Sequence, residues 1–263
     1  MALPAATLKK LRSLARARTR EKEGLLLAEG VRLVQEAVMA GATIQAAYYT
    51  DEVRREYAAL VRKLRGAAGE TAEITRRELA SVSDVVTSQG VLALVRWHPV
   101  EAVALLSRPA VPAIVVACDG LRDPGNMGSL LRTCAWFGVR GVLLGVGCVN
   151  VTNPKVVRGS MGALFRLTIA EEVDLPGTLV EARQFGFRVY GADASAPQRH
   201  DQTEVAARAV IVLGSEAHGL SKAVRDEADL LVSIPRYGEA ESLNVAVACG
   251  VILAAARSSG RGN

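Results

Sequence analysis

From Ala113 onward the sequence alternates short apolar runs with helical stretches, and this alternation constrains the fold more than any other feature. The runs are AIVVAC (113–118), GVLLG (141–145), FRLTI (165–169), FRVYGA (187–192), AVIVLG (209–214) and LLVSI (230–234). Strands that are apolar at nearly every position are covered on both faces, and strands separated by helices pair in parallel. The chain therefore predicts an α/β fold built on a parallel sheet. Such sheets bind ligands beyond the carboxyl ends of their strands. Here those ends lead into CDGLRDPGNMG, GSEAHGLS and PRYGEAESLN, the loops richest in glycine and polar residues.

A smaller pattern comes first. Val31, Val34, Ala37 and Val38 recur at helical spacing, and Gly41 ends the run. IQAAYYT (44–50) and VLALVR (91–96) read as strands, with a charged helical stretch over 52–66 and a short helix near 76–82 between them. Residues 23–98 are thus a small α/β domain. Residues 99–111, part of a proline-punctuated stretch, form a linker, and 112–263 form the larger domain.

The net charge of +5 is unevenly placed: the first 110 residues hold 17 Lys and Arg against 12 Asp and Glu, and the remainder holds 15 of each. Lys9, Lys10, Arg12, Arg16, Arg18 and Arg20 all precede the first acid, Glu21. Residues 1–22 therefore read as a basic arm for phosphates. A solvated helix face or a transit segment gives the same composition. Between Asp123 and Glu171 there is no acid, while Arg132, Arg140, Lys155, Arg158 and Arg166 lie there. That stretch is either an anion-facing surface or a set of buried elements flanked by cations.

Several classes are not supported. The longest apolar run, Val245–Ala256, is too short to span a bilayer, and no secretory leader is recognisable. Cys118, Cys134, Cys148 and Cys249 form no CxxC pair, and no histidine lies near them at ligand spacing. The expectation is reduced, mostly buried thiols in a cytoplasmic protein with no metal and no membrane partner. Neither GxGxxG after a strand nor GxxxxGK[ST] is present.

The stretch ESLNVAVACG (241–250) places a polar Ser-Leu-Asn step before a segment that is apolar on every side. A helix apolar all round is a buried one, and Ser242 or Asn244 can cap its free N–H groups. On its own the stretch is a capped core helix. Arg132 on its own is a surface arginine paired with Asp123.

Taken in order, three loops resemble more than that. Asn126-x-Gly128-x-x-x-Arg132, Gly214-Ser215-Glu216-x-x-Gly219-Leu220 and Ser242-Leu243-Asn244-Val245 closely resemble the three motifs of the SpoU/TrmH family of RNA 2′-O-methyltransferases. NPKVVRGSMGALFRL (153–167) is similar to that family's segment between motifs one and two. AEGVRLVQEAV within 23–98 is similar to its N-terminal substrate-binding domain. Many members carry Ser where this chain has Ala246.

The resemblance implies a SPOUT-type catalytic domain whose C-terminal segment forms a trefoil knot, a rarity among folds. It implies S-adenosylmethionine as cofactor, a homodimer, and RNA as substrate, with ribosomal RNA of the 23S type favoured by the N-terminal domain. The alternatives are a transfer-RNA methyltransferase of the same family or an RNA-binding protein without catalysis. By the same resemblance Gly214, Ile234 and Leu243 offer backbone contacts to the cofactor. Arg132 lies at the reacting hydroxyl, and Asn126, Glu216, Ser242 and Asn244 orient it and the substrates. His200 and His218 receive no catalytic role.

Overall fold

A computed structural model of the chain describes residues 3–83, 85, 87–107 and 112–259. In chain order the elements are α1 (Ala5–Ser13), α2 (Ala17–Glu23), β1 (Leu25–Glu29), α3 (Val31–Met39), β2 (Ile44–Tyr49), α4 (Asp51–Glu56), α5 (Ala58–Ala67), β3 (Ala68–Glu73), α6 (Arg76–Ala80) and β4 (Val91–Arg96). There follow α7 (Ala102–Leu106), β5 (Ala113–Cys118), α8 (Pro124–Trp136), β6 (Gly141–Gly145), α9 (Pro154–Gly159), β7 (Thr168–Val173) and α10 (Leu175–Gln184). The last are β8 (Arg188–Ala192), β9 (Arg208–Leu213), α11 (Lys222–Asp226), β10 (Leu230–Val232) and α12 (Val245–Ser259). Two compact units emerge: Met1–His98 with Asn150–Arg166, and Pro99–Val149 with Leu167–Asn263.

The first unit is a four-stranded sheet in the order β1-β4-β2-β3. β4 runs antiparallel to β1 and β2, and β3 parallel to β2. The expected basic arm is folded into this unit. Leu11 and Leu14 of the first helical segment are buried in the same cluster as Leu25, Leu27, Tyr48 and Leu94. Arg20 is only 3% exposed. Its Nη1 donates to the carbonyls of Leu14 and Ala15 at 2.8 Å each, and its Nε donates to Thr152 Oγ1 at 3.2 Å. A guanidinium committed to backbone carbonyls is not offered to phosphate, so Arg20 leaves the list of phosphate-binding candidates. Lys9, Arg16 and Arg18 stay exposed.

Tyr48, in β2, gives this unit an alkaline limit. It is 2% exposed, and burial, with the Glu70 carboxylate as a lesser cause, pushes its phenol up to about 12. Below pH 10 the phenol is neutral whether the chain is folded or not, and full stability is present. As pH rises from about 10 through 12 the unfolded chain ionises first, and roughly 2 kcal/mol of stability should be lost. Thermal melts across pH 9–12 should show this loss in the wild type and not in Tyr48→Phe. Identical profiles would place the alkaline transition elsewhere.

The second unit is a six-stranded sheet in the order β10-β8-β9-β5-β6-β7, with every neighbouring pair parallel. The predicted α/β parallel-sheet architecture is present. β5 is buried at every residue. Ala113, Val115 and Ala117 pack into a cluster with Leu105, Leu106, Leu175, Leu179 and Val224. Side chains alternate along a strand, so Ile114, Val116 and Cys118 serve the opposite face. There the Cys118 thiol lies near Cys249 of α12, and the Cys134 thiol of α8 is in hydrogen-bond contact with that of Cys249, with no disulfide between them. Burial pushes the Cys118 and Cys134 thiols well up, so they are protonated packing groups. None of the four cysteines is bonded to another.

Two further expectations are corrected. Residues 102–106 of the expected linker form α7, and Leu105 and Leu106 belong to the core of the second unit; residues 108–111 lie outside the described residues. Phe165 and Arg166, expected to open a strand, lie in a 3₁₀ turn, Ala163–Arg166, and the strand starts at Thr168. The left-handed pair Met161 (φ 52°) and Gly162 (φ 90°) turns the chain just before.

Candidate active site

The site is assembled where β5, β9 and β10 end, within the second unit. After β5, Asp119-Gly120 turns the chain, and Asp123 caps α8: its Oδ1 accepts from Asn126 N at 2.7 Å, with Pro124 at the first helical position. This satisfies a helix N–H that has no partner inside the helix. It also engages Asp123, so the expected Asp123–Arg132 pair does not form. Arg132 lies further along α8. It is exposed and makes no hydrogen bond or ion pair among the described residues.

Asn126 is the hub. Its Nδ2 donates to Glu216 Oε1 at 2.6 Å, and its Oδ1 accepts from Asn244 Nδ2 at 2.8 Å. Asn244 Oδ1 in turn accepts from the N–H groups of Ala246 and Val247 at 3.0 and 3.4 Å, capping α12. The carboxylate fixes which end of the Asn126 amide is which. That fixes Asn244, and Asn244 holds the helix start. Three loops far apart in sequence are thus locked by one chain of amides. All of it rests on polar groups at the carboxyl edge of the sheet.

Beside this chain lies a cleft of about 480 Å³. Gly214, Glu216, Ile234, Ser242 and Leu243, all singled out from sequence, line it. Leu213, Val232 and Ile252 add apolar surface, and Ser215 and Arg236 add polar groups. Such a cleft takes a ligand with an apolar body and a polar or charged end. Ser242 lines it but makes no hydrogen bond of its own among the described residues. Arg132 does not line it.

The wall at Gly214 is built on a backbone approach that excludes any side chain. A Cβ added there would meet the carbonyl carbon of Gly219 at 2.1 Å. Ser215 and Gly219 exchange hydrogen bonds, Ser215 N to Gly219 O at 3.0 Å and Gly219 N to Ser215 O at 2.9 Å. Asp119 Oδ2 accepts from Ser221 N at 2.6 Å, tying the end of β5 to this loop.

Sequence reasoning missed Asp193 and Tyr237, which also line the cleft. Asp193 follows β8, accepts from Ser195 N at 2.7 Å and pairs with Arg225. The available signal was a polar residue straight after an apolar strand. Its relevance depends on β8 lying between β9 and β10 in the sheet. Tyr237 is 88% exposed at the rim.

The segment after Asn244 is not buried on every side. Val245, Ala246, Cys249, Ile252 and Leu253 are buried, but Val247 is 50% exposed. Trp136, at the end of α8, is 85% exposed. Among the described residues no helix is long and apolar enough to cross a membrane, and no three His, Cys, Asp or Glu are grouped to hold a metal ion.

A parallel sheet with a ligand-sized cleft at its carboxyl edge, closed by loops from three strands, defines an α/β ligand-binding domain of the kind that carries small-molecule cofactors. The chain belongs to the SpoU methylase family: residues 113–254 match the model described as the SpoU rRNA Methylase family, and residues 5–93 match an MRM3-like substrate binding domain. An uncharacterized tRNA/rRNA methyltransferase of Synechocystis is 30% identical over 95% of this chain and 89% of its own length. One from Mycolicibacterium vanbaalenii is 37% identical over 69% of this chain, and the match spans 59% of that relative's length.

Among solved structures, a putative RNA methyltransferase of the TrmH family from Porphyromonas gingivalis superimposes with a TM-score of 0.83 at 32% identity. That match covers 98% of this chain and 99% of the other. The SpoU methyltransferase AviRb from Streptomyces viridochromogenes, in complex with the cofactor AdoMet, gives 0.87 at 26% identity, covering 99% of this chain and all of the other.

Proposed function

We propose that the protein is an S-adenosylmethionine-dependent RNA ribose 2′-O-methyltransferase acting on ribosomal RNA of the large-subunit type. The observation that carries this reading is the Glu216–Asn126–Asn244 chain of hydrogen bonds beside the Gly214 cleft. The residues fit the cofactor: the cleft has apolar walls for an adenine, and its Gly214 wall is a close backbone approach to Gly219 that leaves main-chain groups free of side chains there. Gly214, Ile234 and Leu243 would hold it through their backbones, with Ser242 at the rim. The bound cofactor supplies a methyl group activated on a sulfonium.

The chain's own task is to place a ribose hydroxyl and stabilise the negative charge that develops as its proton leaves. Arg132 is available for this because no side-chain bond or ion pair engages it among the described residues. A guanidinium stays protonated, so its part is to hold the neighbouring phosphate and the developing alkoxide while the hydroxyl proton passes to solvent water. Glu216, fixed by Asn126, keeps one carboxylate oxygen for a polar group of the substrate or cofactor.

The same reading includes a SPOUT-type knot and a homodimer. The return of α12 to pack on α8, with Asn244 bonded to Asn126, supports a C-terminal segment that comes back to the first loop. Trp136 at the end of α8 and Val247 near the start of α12 are exposed apolar side chains that a second copy would cover.

The test is methyl transfer from labelled S-adenosylmethionine to unmodified ribosomal and transfer RNA, followed by digestion to nucleosides. A 2′-O-methyl nucleoside from ribosomal RNA is expected. A methylated base, or cofactor binding without transfer to either RNA, would overturn the reading; transfer to transfer RNA alone would correct the substrate.

A further inference from the structure

We infer that the first unit carries a preformed groove for single-stranded RNA, in which Arg32 and Arg158 hold backbone phosphate and Tyr57 stacks one unpaired base. This deepens the RNA methyltransferase reading and rests on it for the choice of RNA as ligand.

Two hollows, of about 590 and 300 Å³, lie at the start of α3 and share Arg32 and Gln89 on their common wall. Tyr57 and Glu56 line the larger one, Arg158 and Met161 the smaller. Arg32 is exposed, and neither the Arg32 nor the Arg158 side chain makes a hydrogen bond or ion pair among the described residues. Most arginines on this unit's α4, α6 and 3₁₀ turn behave otherwise: Arg54, Arg76 and Arg166 are paired with Asp51, Glu52 and Glu36. Two unpaired guanidiniums along one groove form an anion track. Arginine is suited to it because its planar fork matches phosphate oxygens.

The other end of the groove is different. Tyr57 interrupts the helical stretch between α4 and α5, with φ −121° and ψ 44°. The break leaves its ring 39% exposed on the cavity wall. An exposed ring beside unpaired cations is the arrangement on which bases stack. Glu56, next to it, can accept from an exocyclic amino group or ring N–H of a base. Glu29 lines the smaller hollow, where Ser83 Oγ donates to it at 2.5 Å, so it is the two guanidiniums and not an absence of acids that mark the phosphate end. A duplex keeps its bases stacked inside and cannot present one to Tyr57; a single strand can.

Two walls of the groove are braced without a ligand. Gln89 Oε1 accepts from Val31 N at 2.9 Å, capping α3. Because a backbone N–H can only donate, the Gln89 amide must present its NH₂ to the groove. The cap requires a glycine at position 30, where φ is 104° and a Cβ would meet Gln89 Oε1 at 2.8 Å. The Arg158–Met161 wall is pinned as firmly. A Cβ at Gly162 would meet Glu36 Cβ at 2.3 Å, and Arg166 Nη2 lies 2.7 Å from Glu36 Oε2. Met161 is held at φ 52°, a conformation that persists only where its surroundings impose it. The segment that lies between the first two family motifs in sequence thus supplies one wall of this groove.

The test uses the full chain and anisotropy of fluorescein-labelled RNA 12-mers, single-stranded and duplex, over a range of salt. The wild type should bind single strands more tightly than duplex. Tyr57→Ala should weaken single-strand binding about tenfold, and Tyr57→Phe should restore it. Arg32→Ala and Arg158→Ala should each flatten the salt slope by about 0.7. The melting temperature of each variant is recorded, and the arginine variants carry the test if Tyr57→Ala loosens the α4–α5 junction. Equal affinity for duplex, or wild-type binding and slopes in folded Tyr57→Ala and Arg32→Ala, would overturn the groove.

The two readings fail separately. A wild-type chain that transfers methyl groups to ribosomal RNA, with variants of unchanged KM for RNA, ends the groove and keeps the enzyme. A chain with the expected binding pattern and no transfer ends the enzyme and keeps the groove.

Discussion

Arg132→Ala is expected to lower single-turnover methyl transfer by about a hundredfold or more, the scale of removing one positioned charge-stabilising group. It should leave cofactor affinity and melting temperature at their wild-type values. The second half follows from the structure: Arg132 is exposed, lies outside the cleft and makes no bond among the described residues that its loss could break. Arg132→Lys should recover little, because a point charge on a flexible stem cannot bridge a phosphate and an alkoxide as a planar fork does.

Asp123→Ala is the informative comparison. Asp123 caps α8 through its bond to Asn126 N. Its loss should cost about 1 kcal/mol of stability, with a smaller effect on turnover transmitted through Asn126. If Asp123→Ala instead costs as much turnover as Arg132→Ala, the cap that places Asn126 matters to the chemistry as much as the arginine does. Near-normal turnover in a stable Arg132→Ala protein would remove it from the chemistry altogether.

What sequence could show depended on how many neighbours each element has. β5 and β6 were legible to the residue, because every position of AIVVAC and GVLLG is buried and both faces must be apolar. β3 was not. AGETAE has no apolar alternation, and the strand sits at the sheet edge, half-exposed and held by β2 alone. An edge strand can be specified by its partner's backbone and leave no mark in its own side chains.

The site followed the same logic. Asn126, Glu216 and Asn244 could be singled out because their loops carry a recognisable order of residue types. Their mutual bonding also requires that β5 and β9 be neighbours, which no local pattern states. Asp193 needed the order β10-β8-β9 and was missed. Arg20 read as one cation in a basic run, but a buried carbonyl cluster had claimed it. The resemblance implies that the all-apolar stretch after Asn244 is covered by the knot and by a partner subunit; within one chain Val247 is half-exposed.

Gly214→Ala is expected to weaken S-adenosylmethionine binding about a hundredfold and to lower the melting temperature by several degrees. The Cβ would lie 2.1 Å from the carbonyl carbon of Gly219 and 2.3 Å from both its oxygen and the nitrogen of Leu220. All three are backbone atoms, so no rotamer change relieves the clash and the loop itself must open. Opening it breaks the Ser215–Gly219 hydrogen-bond pair and moves Glu216 away from Asn126, a contact of 2.6 Å. Net losses of about 1 kcal/mol per hydrogen bond, added to an overpacking cost of about 1–3 kcal/mol, come to roughly 3 kcal/mol or more. If cofactor binding requires the closed loop, the same energy reappears as about a hundredfold in affinity. Gly219→Ala supplies the control within the same loop. Its φ is 65° and nothing lies within 4 Å of the added Cβ, so only left-handed strain of about 1 kcal/mol applies, and affinity should fall by a few fold at most. Calorimetric titration of both variants separates the contributions. Wild-type affinity in Gly214→Ala, or equal damage from Gly219→Ala, would mean that the close approach at Gly214 does not shape the cofactor site.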